Sequence, residues 1–496
     1  MTIIESIGKH PPERIAVRVG ALDINYGRLI ADVMAAATAF AAGGVTGKSR
    51  VGIRAGSVTN GHSYASWVAH LALLHLGAGH ASTIEPASLA ASLGAGMIDT
   101  AIGPRERLDH LPGSIKPIQF DCDPARPLAA SEPAPPGNET AARRFNLTSG
   151  TTGKPKFVTW DARMIAARVA QVGDGLKLGA DTILYPLLHL RTTAGFRYPL
   201  AVWQAGGIVL LPSDAEPLPR DRSSLGASTL IAASPVQLAE RVRQFPDQWA
   251  GCAARTIIVL GGRLPVAVRD AALGVACDTL LISYGSTETG SIALGDSSHI
   301  DRHAGAVGFV RKGVSVEIVD AARKAVAAGE PGLVRIKADL VSAGYENAVP
   351  GKESGHFDGG YFYPGDIGRL FDDGLLAIEG RINETFNVGG WKVNAAELEG
   401  KLAFLPGVDD LCACVMPLAE GDLLTIAVVT HDKVDLNAVA ERIRGKLPKG
   451  RTFHLVRIKA IPRNAMGKIP RAMIANKLTE LYGASRQNLS KNNSNA

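Results

Sequence analysis

Three apolar runs, each closed by a turn, constrain this chain more than any other feature. Thr229–Ala233 (TLIAA) leads into Ser234-Pro235, Arg255–Leu260 (RTIIVL) into Gly261-Gly262, and Thr279–Ser283 (TLLIS) into Tyr284-Gly285. Unalternating apolar runs this short are strands buried on both faces. Helix patterns follow the first two, over Val236–Phe245 and from Pro265. Strands alternating with helices predict a layered α/β domain with a mainly parallel sheet. Ligands of such sheets bind at the carboxyl ends of the strands, where these polar turns lie.

The rest of the chain fits that frame. Asp23–Ile53 reads as a short strand, an Ala-rich helix stopped by Gly43-Gly44, and a strand Arg50–Ile53; Ser66–Leu76 reads as a helix ended by Gly77. Pro- and Ala-rich residues 123–138 read as a surface loop. After Gly380-Arg381 the pattern becomes a polar Gly-rich hairpin and a helix from Ala395, so a boundary is expected near Ile382–Asn383. The expected fold class is therefore α/β: a large layered N-terminal domain with mixed and parallel sheets, residues 1–381, plus a small mobile α+β C-terminal domain, residues 382–485, and a frayed tail, 486–496.

Composition excludes several classes. With 46% apolar and 20% charged residues over 496 positions, a large core is available and a disordered chain is ruled out. Aromatics at 5% argue against stacking platforms for single-stranded nucleic acid. Five scattered cysteines make no disulfide scaffold, and Cys412 and Cys414 read as same-face core thiols of a strand. No charge-free apolar run spans a membrane, and the start MTIIESIGKHPPER lacks a secretory signal's pattern. A cytoplasmic protein is expected. The net charge of +6 is uneven, because Arg442–Arg471 holds ten Lys or Arg and no Asp or Glu. Such a patch suits a nucleotide-type polyanion, and a solvated basic face is the plainer alternative.

The most informative segment is Thr148–Lys156, TSGTTGKPK. Thr148, Ser149, Gly150, Thr151, Thr152 and Gly153 supply hydroxyls and glycines, followed by Lys154 and Lys156. Glycines let backbone N–H groups converge, hydroxyls add donors and lysines add charge, which is what a polyphosphate demands. It is not a Walker loop: only two residues separate Gly150 from Gly153, and Pro155 follows Lys154.

TSGTTGKPK resembles the phosphate-loop signature of the adenylate-forming enzymes, which include acyl- and aryl-CoA synthetases, peptide-synthetase adenylation domains and luciferases. Further motifs of that family follow in order: ISYGSTETG (Ile282–Gly290), YFYPGD (Tyr361–Asp366), GRINETFNVGGWKVNAAELE (Gly380–Glu399) and PRNAMGKIPR (Pro462–Arg471). The resemblance runs from about residue 10 to 475.

It implies ATP-dependent activation of a carboxylic acid to an acyl-adenylate with release of pyrophosphate, then acyl transfer to the thiol of CoA. ATP, Mg²⁺ and CoA are the implied cofactors. Thr148, Ser149, Thr151, Thr152 and Lys156 would cradle the β- and γ-phosphates. Tyr284 would stack on adenine beside Gly285, Thr287 would donate to the α-phosphate, and Glu288 would hold Mg²⁺. Asp366 would accept from the ribose hydroxyls with Arg381 in support. Lys468 would be the catalytic lysine of the first half-reaction. Asn383 would be the hinge, and the Gly389-Gly390 loop with Lys392 would enter the site for the second half-reaction. Gly261 and Gly262, with Ser283, would floor the acid pocket, and His189 would line it near the carboxylate. Implied partners are a small carboxylic acid, ATP and CoA, with an acyl carrier protein as the alternative acceptor and a homodimer as a compatible assembly. No nucleic acid and no membrane span are expected. A divergent, non-catalytic ATP-binding homologue is the second class.

Phe157, Pro364, Ala395 and Asn383 depart from the family's usual residues without removing a named catalytic group. The stretch from Tyr185 to Gly195 has His189 and no Asp to meet an amine, which favours a simple acyl or aryl acid. Arg191 and Arg197 are unusual charges there; solvation is the expected fate of each, with pairing to a second anionic group on the substrate as the alternative.

Overall fold

The computed structural model describes residues 1–56, 61–129, 132–148, 156–211, 228–244, 255–346, 356–418, 421–463 and 469–481. Two sheets form the larger unit. In the first, the strands Ile208–Leu211, Ile183–Pro186, Leu230–Ala233, Thr256–Leu260 and Thr279–Ser286 run parallel in that spatial order. Gly290–Asp296, Ala306–Val310, Leu375–Arg381 and Asp366–Leu370 extend it antiparallel. The second sheet has the order Lys116–Gln119, Thr100–Gly103, Arg50–Ile53, Gly79–Ser82, Arg143–Thr148, Lys156–Asp161, parallel except for its last strand.

The helices Tyr26–Ala42, Tyr64–Leu76, Ala162–Leu176 and Thr193–Gln204 lie between these sheets. Their apolar faces join Val51 and Val158 of one sheet and Leu184, Val209 and Ile258 of the other in a single core. The helices Pro235–Gln244 and Val266–Val275 cover the opposite face of the first sheet. Local sequence sets the ends of these elements. Ser63 caps the Tyr64–Leu76 helix, and Gly77 closes it in the left-handed region at φ 72°. Ser234 and Gln237 cap the Pro235–Gln244 helix reciprocally. The strand–turn–helix reading holds, with the Thr279 strand running three residues further, to Ser286.

From Thr385 the chain builds a separate apolar core. A hairpin, Thr385–Val388 with Trp391–Asn394, leads into the helix Ala395–Lys401. A three-stranded sheet of Asp410–Leu418, Gly421–Val429 and His454–Arg457 follows, with the helix Leu436–Arg444 packed on it. Cys412 and Cys414 are both buried on its other face. Part of the basic stretch is engaged in structure, while Arg444, Lys446, Lys449, Arg451 and Lys459 stay exposed. Arg471 pairs with Glu399 and Arg463 with Asp410. Arg442 and Arg457 donate to backbone carbonyls, so a cationic face remains with some of its charges tied to the backbone.

Candidate active site

Antiparallel pairing of Thr148 with Lys156 makes the phosphate-loop segment a connection between two strands of the second sheet. Ser149, Gly150, Thr151, Thr152 and Gly153 lie outside the described residues, as do Lys468 and the tail. Thr148 and Lys156 stand at the two mouths of that connection. Lys156 Nζ lies 4.6 Å from the centroid of the Tyr345 ring, and the Tyr345 hydroxyl donates to Glu288 Oε1 at 2.9 Å. One aromatic side chain thus links the exit of the loop to the carboxylate expected to meet the metal.

Thr287 and Glu288 occupy the turn where the central strand Thr279–Ser286 reverses into Gly290–Asp296. The turn is tight: a Cβ on Gly285 would lie 1.8 Å from the Gly290 carbonyl oxygen, and Gly290 itself has φ 73°. Its backbone is held from outside. Arg168 donates from Nη1 to the Thr287 carbonyl at 2.8 Å, and from Nη2 to those of Glu288 at 2.9 Å and Leu340 at 2.6 Å. Trp160 Nε1 donates to the Thr287 carbonyl at 3.1 Å, and the Arg168 guanidinium stacks 4.2 Å from the Trp160 ring. Burial lowers the Arg168 pKa, yet Arg stays charged in proteins. It therefore places a buried cation directly behind the site where phosphate charge is expected.

Among the described residues, no three His, Cys, Asp or Glu side chains converge on a metal-sized site. Mg²⁺ commonly uses one or two carboxylates plus substrate phosphates. Glu288, 8% exposed with one oxygen engaged by Tyr345, fits a nucleotide-borne Mg²⁺ rather than a pre-built cage.

Asp366 and Arg381 are register partners on adjacent strands. Asp366 Oδ1 lies 3.2 Å from Arg381 Nε, and its Oδ2 accepts from the Tyr284 hydroxyl at 2.6 Å. Desolvation, then the Asp366 carboxylate, pushes the Tyr284 phenol well above its ordinary pKa. Tyr284 is thus a fixed donor to Asp366.

His189 follows the strand Ile183–Pro186. Its Nδ1 accepts the Arg191 N–H at 3.0 Å, which puts the proton of the neutral ring on Nε2, 3.0 Å from Glu85 Oε1. Arg191 Nη1 lies 2.9 Å from the other Glu85 oxygen. The neighbouring His189 ring, then Arg191, holds the Glu85 carboxyl below its usual range against burial. Neither arginine is solvated, contrary to expectation: Arg191 is committed to Glu85, and Arg197 is buried at 4% exposure. Ser283 is buried and shares a 2.9 Å hydrogen bond with Ser291. Gly261, with φ 87°, and Gly262 turn the chain after Thr256–Leu260.

Asn383 sits in a single helical turn, Ile382–Glu384, between the two units. Gly389 and Gly390 form the hairpin turn with φ of 55° and 80°, and a Cβ on either would meet nothing within 4 Å. Backbone conformation, not crowding, is what asks for glycine in this arrangement. Lys392 is exposed on the same hairpin. The motif containing Lys468 is anchored at both ends, through Arg463 to Asp410 and Arg471 to Glu399.

Arg168, Trp160, Tyr345 and Glu85 escape sequence reasoning. Arg168 shares a helix face with Ile165, Val169 and Val172, so a charge on an apolar stripe was its signal.

Polar turns at the carboxyl ends of strands in a two-sheet α/β unit, joined to a smaller α+β unit, make a ligand-binding type of architecture. Residues 4–346 match the AMP-binding enzyme family, and the chain belongs to that family. It is 27% identical over 378 residues, 71% of this chain and 65% of the relative, to 2-hydroxy-7-methoxy-5-methyl-1-naphthoate–CoA ligase of Streptomyces carzinostaticus. It is 26% identical over 361 residues, 65% of this chain and 58% of the relative, to malonate–CoA ligase of Arabidopsis thaliana. The chain thus spans about three fifths of the length of these curated relatives. The fold matches an anthranilate CoA ligase bound to anthranoyl-AMP at TM-score 0.80 and 19% identity, covering 98% of each chain. It also matches o-succinylbenzoate CoA synthetase of Bacillus subtilis bound to its acyl-adenylate, at 0.77 and 19%, covering 95% of this chain and 97% of the other.

Proposed function

We propose that this chain activates a carboxylic acid with ATP, forming an acyl-adenylate and pyrophosphate, and then passes the acyl group to the thiol of CoA. Family membership and relatives named as CoA ligases support the class. The observation that carries it is the Thr287–Glu288 turn, clamped by Arg168 and Trp160 and tied through Tyr345 to Lys156.

In the first step an oxygen of the acid forms a bond to the α-phosphorus while the bond to the pyrophosphate oxygen breaks. The chain's task is to hold two anions in line and meet the growing charge. Thr148, Lys156 and the intervening loop would hold the outer phosphates, Thr287 the α-phosphate, and Asp366 with Arg381 the ribose. Mg²⁺, held by Glu288, would neutralise charge on the phosphate oxygens. Lys468 would bridge acid and α-phosphate. In the second step the CoA sulfur bonds to the acyl carbon and AMP leaves. The smaller unit, hinged at Asn383, would exchange Lys468 for the Gly389-Gly390 hairpin.

Pyrophosphate release with ATP, Mg²⁺ and a panel of acids tests the reading, followed by thioester detection on adding CoA. Acid-dependent release abolished by chelating Mg²⁺ is expected. A well-folded protein that releases no pyrophosphate with any acid would refute it.

A further inference from the structure

Among the described residues that line it, the cavity beside the central strand has two cations and no anion. It is lined by Arg197, Arg311, Gln171, Tyr198, Ser283 and Ser291, among other residues. Arg197 Nε has no hydrogen-bond partner, and its Nη1 makes one long contact, 3.5 Å to the Arg168 carbonyl. Arg311 Nη2 donates to the Gln171 carbonyl at 2.7 Å. No Asp or Glu is among the described residues that line the cavity. Gln171 Oε1 is also buried and unpartnered. A buried cation is costly unless its donors are satisfied, and the Nε donor of Arg197 is not. Desolvation, and more weakly Arg311, lowers the pKa of Arg197, in keeping with like charges left unscreened.

Position says which ligand completes the set. Arg197 lies on the Thr193–Gln204 helix, whose first turn follows His189. Ser283 lies on the strand that ends at Thr287. Both elements lead away from the expected reacting carboxylate, so the cavity receives the far end of the acid. Its open space is about 10 Å³, roughly that of one water, so a single carboxylate oxygen fills it beside the guanidinium.

We propose that Arg197 and Arg311 select a dicarboxylic acid, binding the carboxylate that does not react. This rests on the acid-activating reading above and narrows its substrate. A graded series of α,ω-dicarboxylates, from malonate to suberate, is compared with half-methyl esters and equal-length monocarboxylates by pyrophosphate release. The best diacid should exceed its half-ester by about 100-fold in kcat/KM, the scale of a charge-assisted pair. Arg311→Gln should collapse that ratio to within about tenfold, chiefly through KM of the diacid. Arg197→Lys provides a second variant if a larger change at the buried site prevents folding. Monocarboxylates or half-esters used as well as diacids would overturn the inference and leave acid activation standing. No release with any acid would overturn both.

Discussion

At the residue scale, the site depends on side chains that touch no expected substrate atom. Tyr345 donates to Glu288 while its ring receives Lys156. Tyr345→Phe keeps the ring and removes the donor, so Glu288 loses orientation but not charge. We expect the Mg²⁺ concentration for half-maximal pyrophosphate release to rise about 3- to 10-fold, one hydrogen bond's worth, with KM for the acid unchanged. An unaltered Mg²⁺ dependence would remove Tyr345 from the site. The residues named beforehand, among them Glu288, Tyr284, Asp366 and Arg381, sit in contiguous motifs that resemble the family's, and that resemblance is what singles them out. Arg168 acts on Thr287 across 119 positions and Tyr345 on Glu288 across 57. Tyr345 has no neighbours that mark it, and the apolar stripe around Arg168 marks a buried charge but not its partner, because the contacts exist only once the helix and the sheets are packed.

At the element scale, the sequence was most readable where strand and turn alternate. The parallel strands around Thr256–Leu260 pair as the apolar runs imply. A mixed sheet was expected, but the strands from Gly290 onward that make it mixed were not singled out, and those at Ala306–Val310 and Asp366–Leu370 alternate in burial without an unbroken apolar run. The joint between the two regimes is Gly285 opposite Gly290, where backbones meet too closely for any side chain. Gly285→Ala should therefore displace the Thr287–Glu288 turn. Overpacking of this kind costs about 1–3 kcal/mol, and pyrophosphate release should fall by at least about 100-fold because Glu288 moves with the turn. Melting curves and activity measured together check it; full activity at an unchanged Tm would mean the strand reversal tolerates a shift.

At the scale of the whole molecule, two expectations differ in kind. Lys468→Ala should suppress adenylate formation by orders of magnitude yet spare thioester formation from supplied acyl-adenylate, because only the first step needs a cation between two anions. Equal loss of both would deny the exchange of the smaller unit about Asn383. The second expectation concerns stability. His62, His70 and His80 are fully buried in the core between the sheets, around Trp67 and Phe196. Arg144, also fully buried, stacks on the same Phe196 ring. Burial, reinforced by Arg144 for His70 and His80, holds these imidazoles below their ordinary pKa, to about 3 for His62 and His80. A histidine with a lowered folded pKa binds its proton more readily when unfolded. Its contribution is present above the unfolded value near 6.5 and is lost as pH falls toward the folded one. Each such group steepens the loss by about 1.4 kcal/mol per pH unit. Unfolding free energy should be nearly flat from pH 7 to 8 and fall steeply below about 6.5, before carboxylates titrate. His80→Gln, if it folds, should shallow that slope by about one proton. A midpoint in denaturant that does not move between pH 7 and 5 would mean that these rings titrate alike in both states, and that the core between the sheets opens to water.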